Sequence, residues 1–319
     1  MSLGSPTGHR PGNGTWAALA PALTNRLLFV GLSGERHPRD GCGTLGPVAA
    51  FDVTRPNTAR MYDYWLGGKD NFEVDREAAE AVSASRPDVA DLALENKKFL
   101  TRAVGYVAGQ GVRQFVDVGS GLPTSPLREP GASPSWLATH EAARTVEPDA
   151  MVAYVDSDPV AVRHSQALLG DGGKRVVATQ GDLSDPGAVL ADEEILGAGL
   201  ELAEPACVVL GCVLHFVPPD TARRTIAAFT RAMVPGSYLI ISVGFDGSPA
   251  PDGDFAGTYN AQAGPVIHRQ SREGINALFS GLEVIPPGVV DAAAWRPEQP
   301  DAARPGRVAT ILAGVGRTP

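Results

Sequence analysis

The sequence predicts an α/β fold in which helices cover both faces of a mostly parallel sheet. Five short apolar segments alternate with segments of helical periodicity; these predicted strands are 114–118, 151–155, 175–179, 206–210 and 237–243. Such alternation favours right-handed crossovers, which place successive strands parallel in one sheet with helices over both faces. Two further apolar segments, 282–285 and 307–315, follow near the end of the chain.

Composition and charge narrow the classes of ligand. The chain has 319 residues, of which 43% are hydrophobic and 20% charged, enough for an ordinary buried core. The formal net charge is −9, and adjacent cationic residues occur only as the pairs 97–98, 174–175 and 223–224. Nucleic-acid binding depends on clustered Lys and Arg, so this pattern argues against it and favours a small-molecule partner.

Cysteine spacing indicates whether the chain has a metal site, and hydropathy indicates whether a segment could span a membrane. Cys42, Cys207 and Cys212 have no CxxC spacing, so the sequence contains no support for a zinc or dithiol site. No apolar stretch reaches the roughly 20 residues that span a bilayer. Residues 1–11 lack the charged and apolar regions of a secretion signal. We therefore expect a cytoplasmic protein without a metal or a membrane partner; the sequence does not indicate an oligomeric state.

Three segments are predicted along the chain. Residues 1–54 are rich in Gly, Pro, Ser and Thr, which is typical of a flexible extension. Residues 55–110 are predicted to form a helical lid segment, whose first helix, 59–66, would be capped by Thr58 and stopped by Gly67 and Gly68. Residues 111–319 contain the alternating strands and helices.

Ligands of such sheets bind beyond the carboxyl ends of the strands, so the residues that follow each strand are the site candidates. Asp117 lies in the first strand, which ends in Gly119, Ser120 and Gly121. Glycines at these positions allow a tight turn and a close approach of a ligand to the backbone. The dinucleotide fingerprint would need a third glycine where this chain has Thr124. An ordinary glycine turn is the alternative.

The second strand ends in Asp156 and Ser157. A carboxylate at this position can accept both hydroxyls of a ribose. Asp158 is expected to cap the helix that begins at Pro159, and a capping role for Asp156 is the alternative. The distance from Gly121 to Asp156 exceeds the usual ~20 residues, and a Pro-rich insertion at 125–137 accounts for the surplus.

The third and fourth strands are followed by further polar residues. Asp182 can accept a hydrogen bond from an adenine amino group while Leu183 packs on the ring, although a turn aspartate would look the same. The fourth strand leads to Gly211 and then to His215. His215 could contact a cofactor, orient an acceptor or remove a proton, and a packed structural histidine is the alternative.

These four fragments, in this order, resemble the class I S-adenosylmethionine (SAM)-dependent methyltransferases. In that class the glycine turn holds the methionine part of SAM, the second-strand acid holds the ribose and the third-strand acid reads the adenine. Residues 55–72, RPNTARMYDYWLGGKDNF, are similar to the opening signature of one bacterial family of these enzymes. The resemblance implies a Rossmann-like, mostly parallel seven-stranded sheet with an N-terminal helical lid, SAM as the cofactor, and methyl transfer to an unidentified acceptor.

The resemblance and the residue types together suggest further roles. Residues 60–70 are expected to fold over the cofactor, with Arg60, Tyr64 or Lys69 near the SAM carboxylate; a helix simply packed on the sheet is the alternative. His215 is the first candidate for a catalytic base. Tyr259 and His268 are expected to line the acceptor pocket.

Two other functions remain open at this stage. One is a non-catalytic SAM-binding or sensor protein, which would explain the lack of an obvious base. The other is an NAD-dependent oxidoreductase on a similar sheet. Thr124 in place of a third glycine, together with the Gly181-Asp182-Leu183 sequence after the third strand, favours SAM over a nicotinamide cofactor.

Overall fold

The structure is a computed structural model that describes residues 54–122, 134–169, 175–245, 255–263, 266–297 and 311–319. These residues belong to one compact unit, Pro47–Pro319. The predicted extension before residue 54, Thr124 and most of the predicted insertion (125–133) lie outside the described residues. No helix in the described ranges is long and apolar enough to cross a membrane.

The described residues form helices and strands in alternation. The helices are α1 Thr58–Trp65, α2 Glu73–Ser85, α3 Val89–Ala108, α4 Thr139–Arg144, α5 Pro159–Leu169, α6 Pro186–Leu190, α7 Glu193–Gly197, α8 Pro219–Ala232, α9 Phe255–Gln262 and α10 Arg272–Ala277. The strands are β1 Gln114–Val118, β2 Met151–Asp156, β3 Val176–Gln180, β4 Cys207–Gly211, β5 Tyr238–Gly244, β6 Glu283–Val284, β7 Val290–Asp291 and β8 Ile311–Arg317.

The strands form one sheet in the order β3-β2-β1-β4-β5-β8-β6. β1 to β5 are parallel, and β8 runs antiparallel to both β5 and β6. This is the expected Rossmann-like, mostly parallel arrangement of seven strands. An eighth strand, the two-residue β7, pairs with β8 and was too short to be recognised in the sequence. The strand order reverses between β1 and β4, which is where a ligand crevice is expected.

The two faces of the sheet pack against different helices. Alternate strand residues such as Val116 and Leu210 belong to a cluster that includes Ile226 and Phe229 of α8. The intervening residues, such as Phe115, belong to a second cluster with α3. Because both faces of the sheet are buried, the strand sequences are continuous apolar runs.

Within the segment predicted as a lid, α3 packs on the sheet, whereas α1 and α2 pack with α9. The second group forms a separate apolar cluster, which we call the cap cluster; its buried members are Met61, Ala78, Ala79, Val82, Val89, Tyr259 and Ala263. The sequence-based prediction did not include α9, because a helix of only 8 residues is too short to show a clear periodic pattern.

A buried carboxylate, Asp75, holds α1 and α2 together. Its oxygens accept hydrogen bonds from the backbone amide of Asn57 at 2.9 Å, from Arg60 Nε at 2.6 Å and from the backbone amide of Phe72 at 2.8 Å. Asp75 is completely buried and Arg60 nearly so. A buried charge is tolerated when it is paired and its remaining lone pairs are bonded, as here.

The residue that caps α1 is Asn57, so the prediction of Thr58 as the cap is wrong by one position. The Asn57 side-chain oxygen accepts from the amides of Ala59 and Arg60 at 2.8 and 3.1 Å. Asn and Thr are both good cap residues, and propensity alone does not separate neighbours.

The turn after α1 is organised by Asp63. Its carboxylate accepts from the amide of Asp70 at 2.9 Å and from Asn71 Nδ2 at 2.8 Å. A Cβ on Gly68 would lie 2.0 Å from Asp63 Oδ1, so only glycine fits there.

We predict that Asp75→Asn destabilises the protein strongly. The change removes the carboxylate partner of the buried Arg60 side chain and replaces one acceptor oxygen by a donor, which costs about 3–5 kcal/mol. Urea unfolding measures the effect. The matched control is Asp88→Asn, which removes the 44%-exposed partner of Arg86 and should cost under about 1 kcal/mol. Equal destabilisation by the two changes would contradict the role of Asp75.

Candidate functional site

A single cavity of about 1020 Å³ lies at the carboxyl ends of β1 to β4 and extends between α1, α3 and α9. Ten of the predicted site residues line it: Asp117, Gly119, Ser120, Gly121, Asp156, Ser157, Asp182, Leu183, Gly211 and His215. Tyr259 and His268, the predicted acceptor-pocket residues, line it too. The strand ends and the segment after β5 therefore face a common space.

The turn after β1 is fastened to the end of β2. Gly119 and Gly121 have φ values of +70° and +65°, which favour glycine. The amides of Gly119 and Ser120 donate to the carbonyl of Val155 at 2.7 and 3.1 Å. A Cβ on Gly119 would lie 2.3 Å from Val213 Cγ2, so the tight packing also excludes a side chain.

Asp156 is positioned by backbone donors on both of its oxygens. Oδ2 accepts from the amide of Gly121 at 2.8 Å and Oδ1 from the amide of Asp158 at 2.9 Å. Burial raises the pKa of Asp156, while these amide bonds act in the opposite direction. Each carboxylate oxygen can accept a second bond, so the group can still receive two hydroxyls.

Asp158 links the cavity to the N-terminal segment. One oxygen accepts from the amide of Val160 at 2.8 Å, which is the predicted cap of α5. The other accepts from Asn57 Nδ2. Ala59 also lies close to the glycine turn: a Cβ built on Gly121 would be 3.5 Å from Ala59 Cβ. The start of α1 therefore lies against the ends of β1 and β2.

A cation and an anion face the cavity beside the glycine turn. Lys97 projects from α3, with its Nζ 5.7 Å from the ring centroid of Tyr62 and 5.6 Å from that of Trp136. Burial lowers the pKa of Lys97, and the nearby Asp117 raises it. Burial raises the pKa of Asp117, whereas a hydrogen bond from Thr139 Oγ1 and the charge of Lys97 lower it. Each charge thus favours the ionised form of the other.

Sequence reasoning named Asp117 and missed Lys97. The signal was present, because Lys97 occurs at helical spacing with Ala93 and Leu100 on the buried face of α3. A lysine on an apolar helix face is costly unless it has a partner or a ligand.

His215 presents a donor to the cavity where a base was expected. Its Nδ1 lies 3.3 Å from the amide nitrogen of Gly244 and accepts its proton. Burial lowers the pKa of His215 to about 4, so the ring is neutral near pH 7. With the Nδ1 lone pair in use, the ring proton must be on Nε2. The neutral ring therefore has no free lone pair with which to remove a proton.

A chain of buried hydrogen bonds fixes the cavity wall around the end of β4. Ser242 Oγ donates to Asn96 Oδ1 at 2.7 Å, and Asn96 Nδ2 donates to the Tyr62 hydroxyl at 3.0 Å. The Tyr62 hydroxyl donates to the carbonyl of Ala93 at 3.0 Å. Cys212 joins through its amide, which lies 3.0 Å from Ser242 Oγ; burial raises the pKa of its thiol to about 11, so the thiol stays protonated.

Arg60, Tyr64 and Lys69 do not line the cavity. Arg60 is buried between α1 and α2, where it pairs with Asp75 and donates to the carbonyl of Arg55. The Tyr64 hydroxyl donates to Glu80 Oε1 at 2.9 Å, and Lys69 is exposed on the turn after α1. The cavity-facing side of α1 carries Tyr62 and Trp65 instead. The predicted contacts from these three residues therefore do not match their positions.

Comparison with known proteins gives a consistent assignment. Residues 46–319 match a family model described as S-adenosyl methyltransferase. A crystal structure of a candidate methyltransferase from Thermobifida fusca YX is 36% identical over 86% of this chain and 99% of its own, with a TM-score of 0.75. A DUF574 family protein from Streptomyces avermitilis is 31% identical over 84% and 99% of the two chains, with a TM-score of 0.75. No match was found among the curated proteins.

We predict that His215 remains neutral, with its proton on Nε2, throughout the range above about pH 5. The folded-state pKa of His215 is depressed below the ordinary 6.5. Its contribution to the free energy of unfolding is therefore fully present above pH 6.5 and is lost as the pH falls towards 4. Nitrogen NMR of histidine-labelled protein measures the tautomer and the midpoint, and His215→Asn assigns the signal. A titration midpoint near 6.5 would contradict the buried, hydrogen-bonded arrangement.

Proposed function

Because the chain belongs to the S-adenosyl methyltransferase family, we propose that it transfers the methyl group of SAM to a small-molecule acceptor bound in the same cavity. The observation that carries the proposal is the convergence of Lys97 from α3 with Asp117 and Asp156, from the ends of β1 and β2, on one cavity. The charges of Lys97 and Asp117 complement the carboxylate and the ammonium of SAM, and Asp156 complements its ribose hydroxyls.

The methionine part of SAM carries an ammonium and a carboxylate. We assign the ammonium to Asp117 and the carboxylate to Lys97, whose opposite charges lie beside the Gly119–Gly121 turn. Lys97 takes the role that the sequence had suggested for Arg60, Tyr64 or Lys69. Because Asp117 is buried and Lys97 is half-buried, their interactions with a ligand charge are less screened than on the surface.

The adenosine part fits the ends of β2 and β3. Asp156 retains acceptor capacity on both oxygens and is the ribose ligand in this proposal. Asp182 Oδ1 accepts from the amide and hydroxyl of Ser184 at 2.8 and 2.7 Å, which orients the carboxylate to accept the adenine amino group through Oδ2. Leu183 supplies an apolar surface for the adenine ring. Ser120, Ser157 and Gly211 complete this side of the cavity.

The cavity has room for an acceptor beside SAM. Pockets for a single ligand have volumes of about 300–1,000 Å³, and this cavity lies at the top of that range. SAM supplies a methyl group on a sulfonium, which reacts by direct displacement, so the contribution of the protein is to align the reactants and exclude water. The apolar cap cluster over the cavity serves both purposes.

We predict that S-adenosylhomocysteine (SAH), the demethylated product of SAM, binds the purified chain and that NAD does not. Lys97→Met and Asp156→Ala each remove a charge-assisted contact and should weaken SAH binding about tenfold or more. Isothermal titration calorimetry measures the affinities. Lys98→Met is the matched control, because Lys98 is paired with Glu95 on the same helix and does not line the cavity.

Two results would count against the proposal. Failure of SAH to bind the unaltered chain would overturn the assignment of the cavity. Equal affinities of the Lys97→Met and Lys98→Met variants would remove Lys97 from the site.

A further inference from the structure

The side of the cavity beneath α9 has a different lining from the strand-end side. We call it the acceptor chamber and define it by Trp65, Val89, Phe216, Phe255, Tyr259 and Gln270, all of which line the cavity. The ring centroid of Tyr259 lies 5.9 Å from that of Phe216 and 6.0 Å from that of Phe255. A ligand enclosed by these side chains must be largely apolar.

Two of the residues that line this chamber carry a buried polar atom without a well-aligned hydrogen-bond partner in the described part of the chain. The atoms are Nε2 of Gln270 and the hydroxyl oxygen of Tyr259, and both residues are 2% exposed. The Tyr259 hydroxyl also faces the Thr58 side chain, whose hydrogen bond lowers the pKa that burial raises. Buried polar groups are almost always hydrogen-bonded in native proteins. Both atoms can donate, so a ligand that offers acceptor oxygens would satisfy them.

His215, which lines the same cavity, offers a third donor. The amide of His268 donates to the carbonyl of His215 at 2.7 Å, which brings the segment containing Gln270 alongside His215. The His215 ring also packs against Phe216, with centroids 4.3 Å apart. Because its Nδ1 is occupied by the Gly244 amide, its Nε2–H is the group that remains to donate.

Charge is distributed unequally between the two sides. The carboxylates among the described lining residues are Asp117, Asp156, Asp158 and Asp182, and they all lie at the ends of β1 to β3. Arg86 and Arg269 also line the cavity, and Arg86 is paired with Asp88. The six residues that define the chamber thus offer hydrogen-bond donors but no carboxylate.

We propose that the methyl acceptor is an apolar carboxylic acid, bound as its carboxylate in the acceptor chamber and converted to a methyl ester. This inference rests on the proposed function. The two carboxylate oxygens together accept from Gln270, Tyr259 and His215, and the remaining lone pair of one oxygen attacks the methyl carbon. The new O–CH₃ bond forms as the C–S bond breaks, its electron pair goes to sulfur, and no proton is released. An alcohol or amine acceptor would instead have to lose a proton, which His268 of the same cavity would have to accept.

Binding and turnover test the inference with defined probes. Benzoate, phenylacetate and octanoate are titrated into the full chain with and without SAH, beside the matching alcohols and amines. The acids should bind about tenfold or more tightly than their uncharged and cationic counterparts. With methyl-labelled SAM, the label should enter a product that releases labelled methanol in alkali. Binding by none of the acids, equal binding of the alcohols or amines, or an alkali-stable product would each overturn the proposal.

Variants locate the effect in the chamber. Gln270→Glu keeps the shape but places a negative charge against the acid, and it should weaken acid binding about tenfold or more while SAH affinity is unchanged. Gln262→Glu adds the same charge at the exposed end of α9 and is the matched control. Tyr259→Phe, which keeps the packing of the ring, should weaken acid binding in the same direction. Unchanged acid binding in both chamber variants would overturn the proposal.

The SAH titration separates this inference from the function on which it rests. If SAH binds but the acids do not, only the acceptor class is wrong. If SAH does not bind, the proposed function fails whatever the acids do.

Discussion

The arrangement of the cavity depends on one buried anion, Asp75. Its carboxylate is shared by the backbone amides of Asn57 and Phe72 and by the Arg60 side chain, so it fixes the start of α1 and the start of α2 together. The ion pair and its hydrogen bonds thus define how the two helices lie against each other.

That geometry reaches the cavity through Asn57. The same residue that donates its amide to Asp75 caps α1 with its side-chain oxygen and contacts Asp158 with its side-chain nitrogen. The N-terminal signature, which looked like a set of ligand contacts, is mainly a frame that joins the cap to the end of β2. The residues of the signature that line the cavity are Asn57, Thr58, Ala59, Tyr62 and Trp65, whereas Arg60 and Lys69 do not line it.

Much of the fold was predictable because it depends on local patterns. The bounds of β1 and the start of α5 at Pro159 agree with the sequence-based prediction, and the Gly119, Asp156 and Asp182 fragments line one cavity as parallel strand ends require. Helical spacing with Ala93 and Leu100 puts Lys97 on the buried face of α3, but its position near Asp117 is a long-range contact. The position of Gln270 likewise depends on how the segment after α9 passes His215. Arg60 and Lys69 misled because charge alone does not reveal which side of a helix or turn faces a cavity.

The two sides of the site form one continuous cavity rather than two pockets with a partition. An acceptor in the chamber would therefore be bounded on one flank by the bound methyl donor itself. In the proposed reaction the bound donor thus forms part of the surface that the acceptor contacts, which favours entry of the donor before the acceptor.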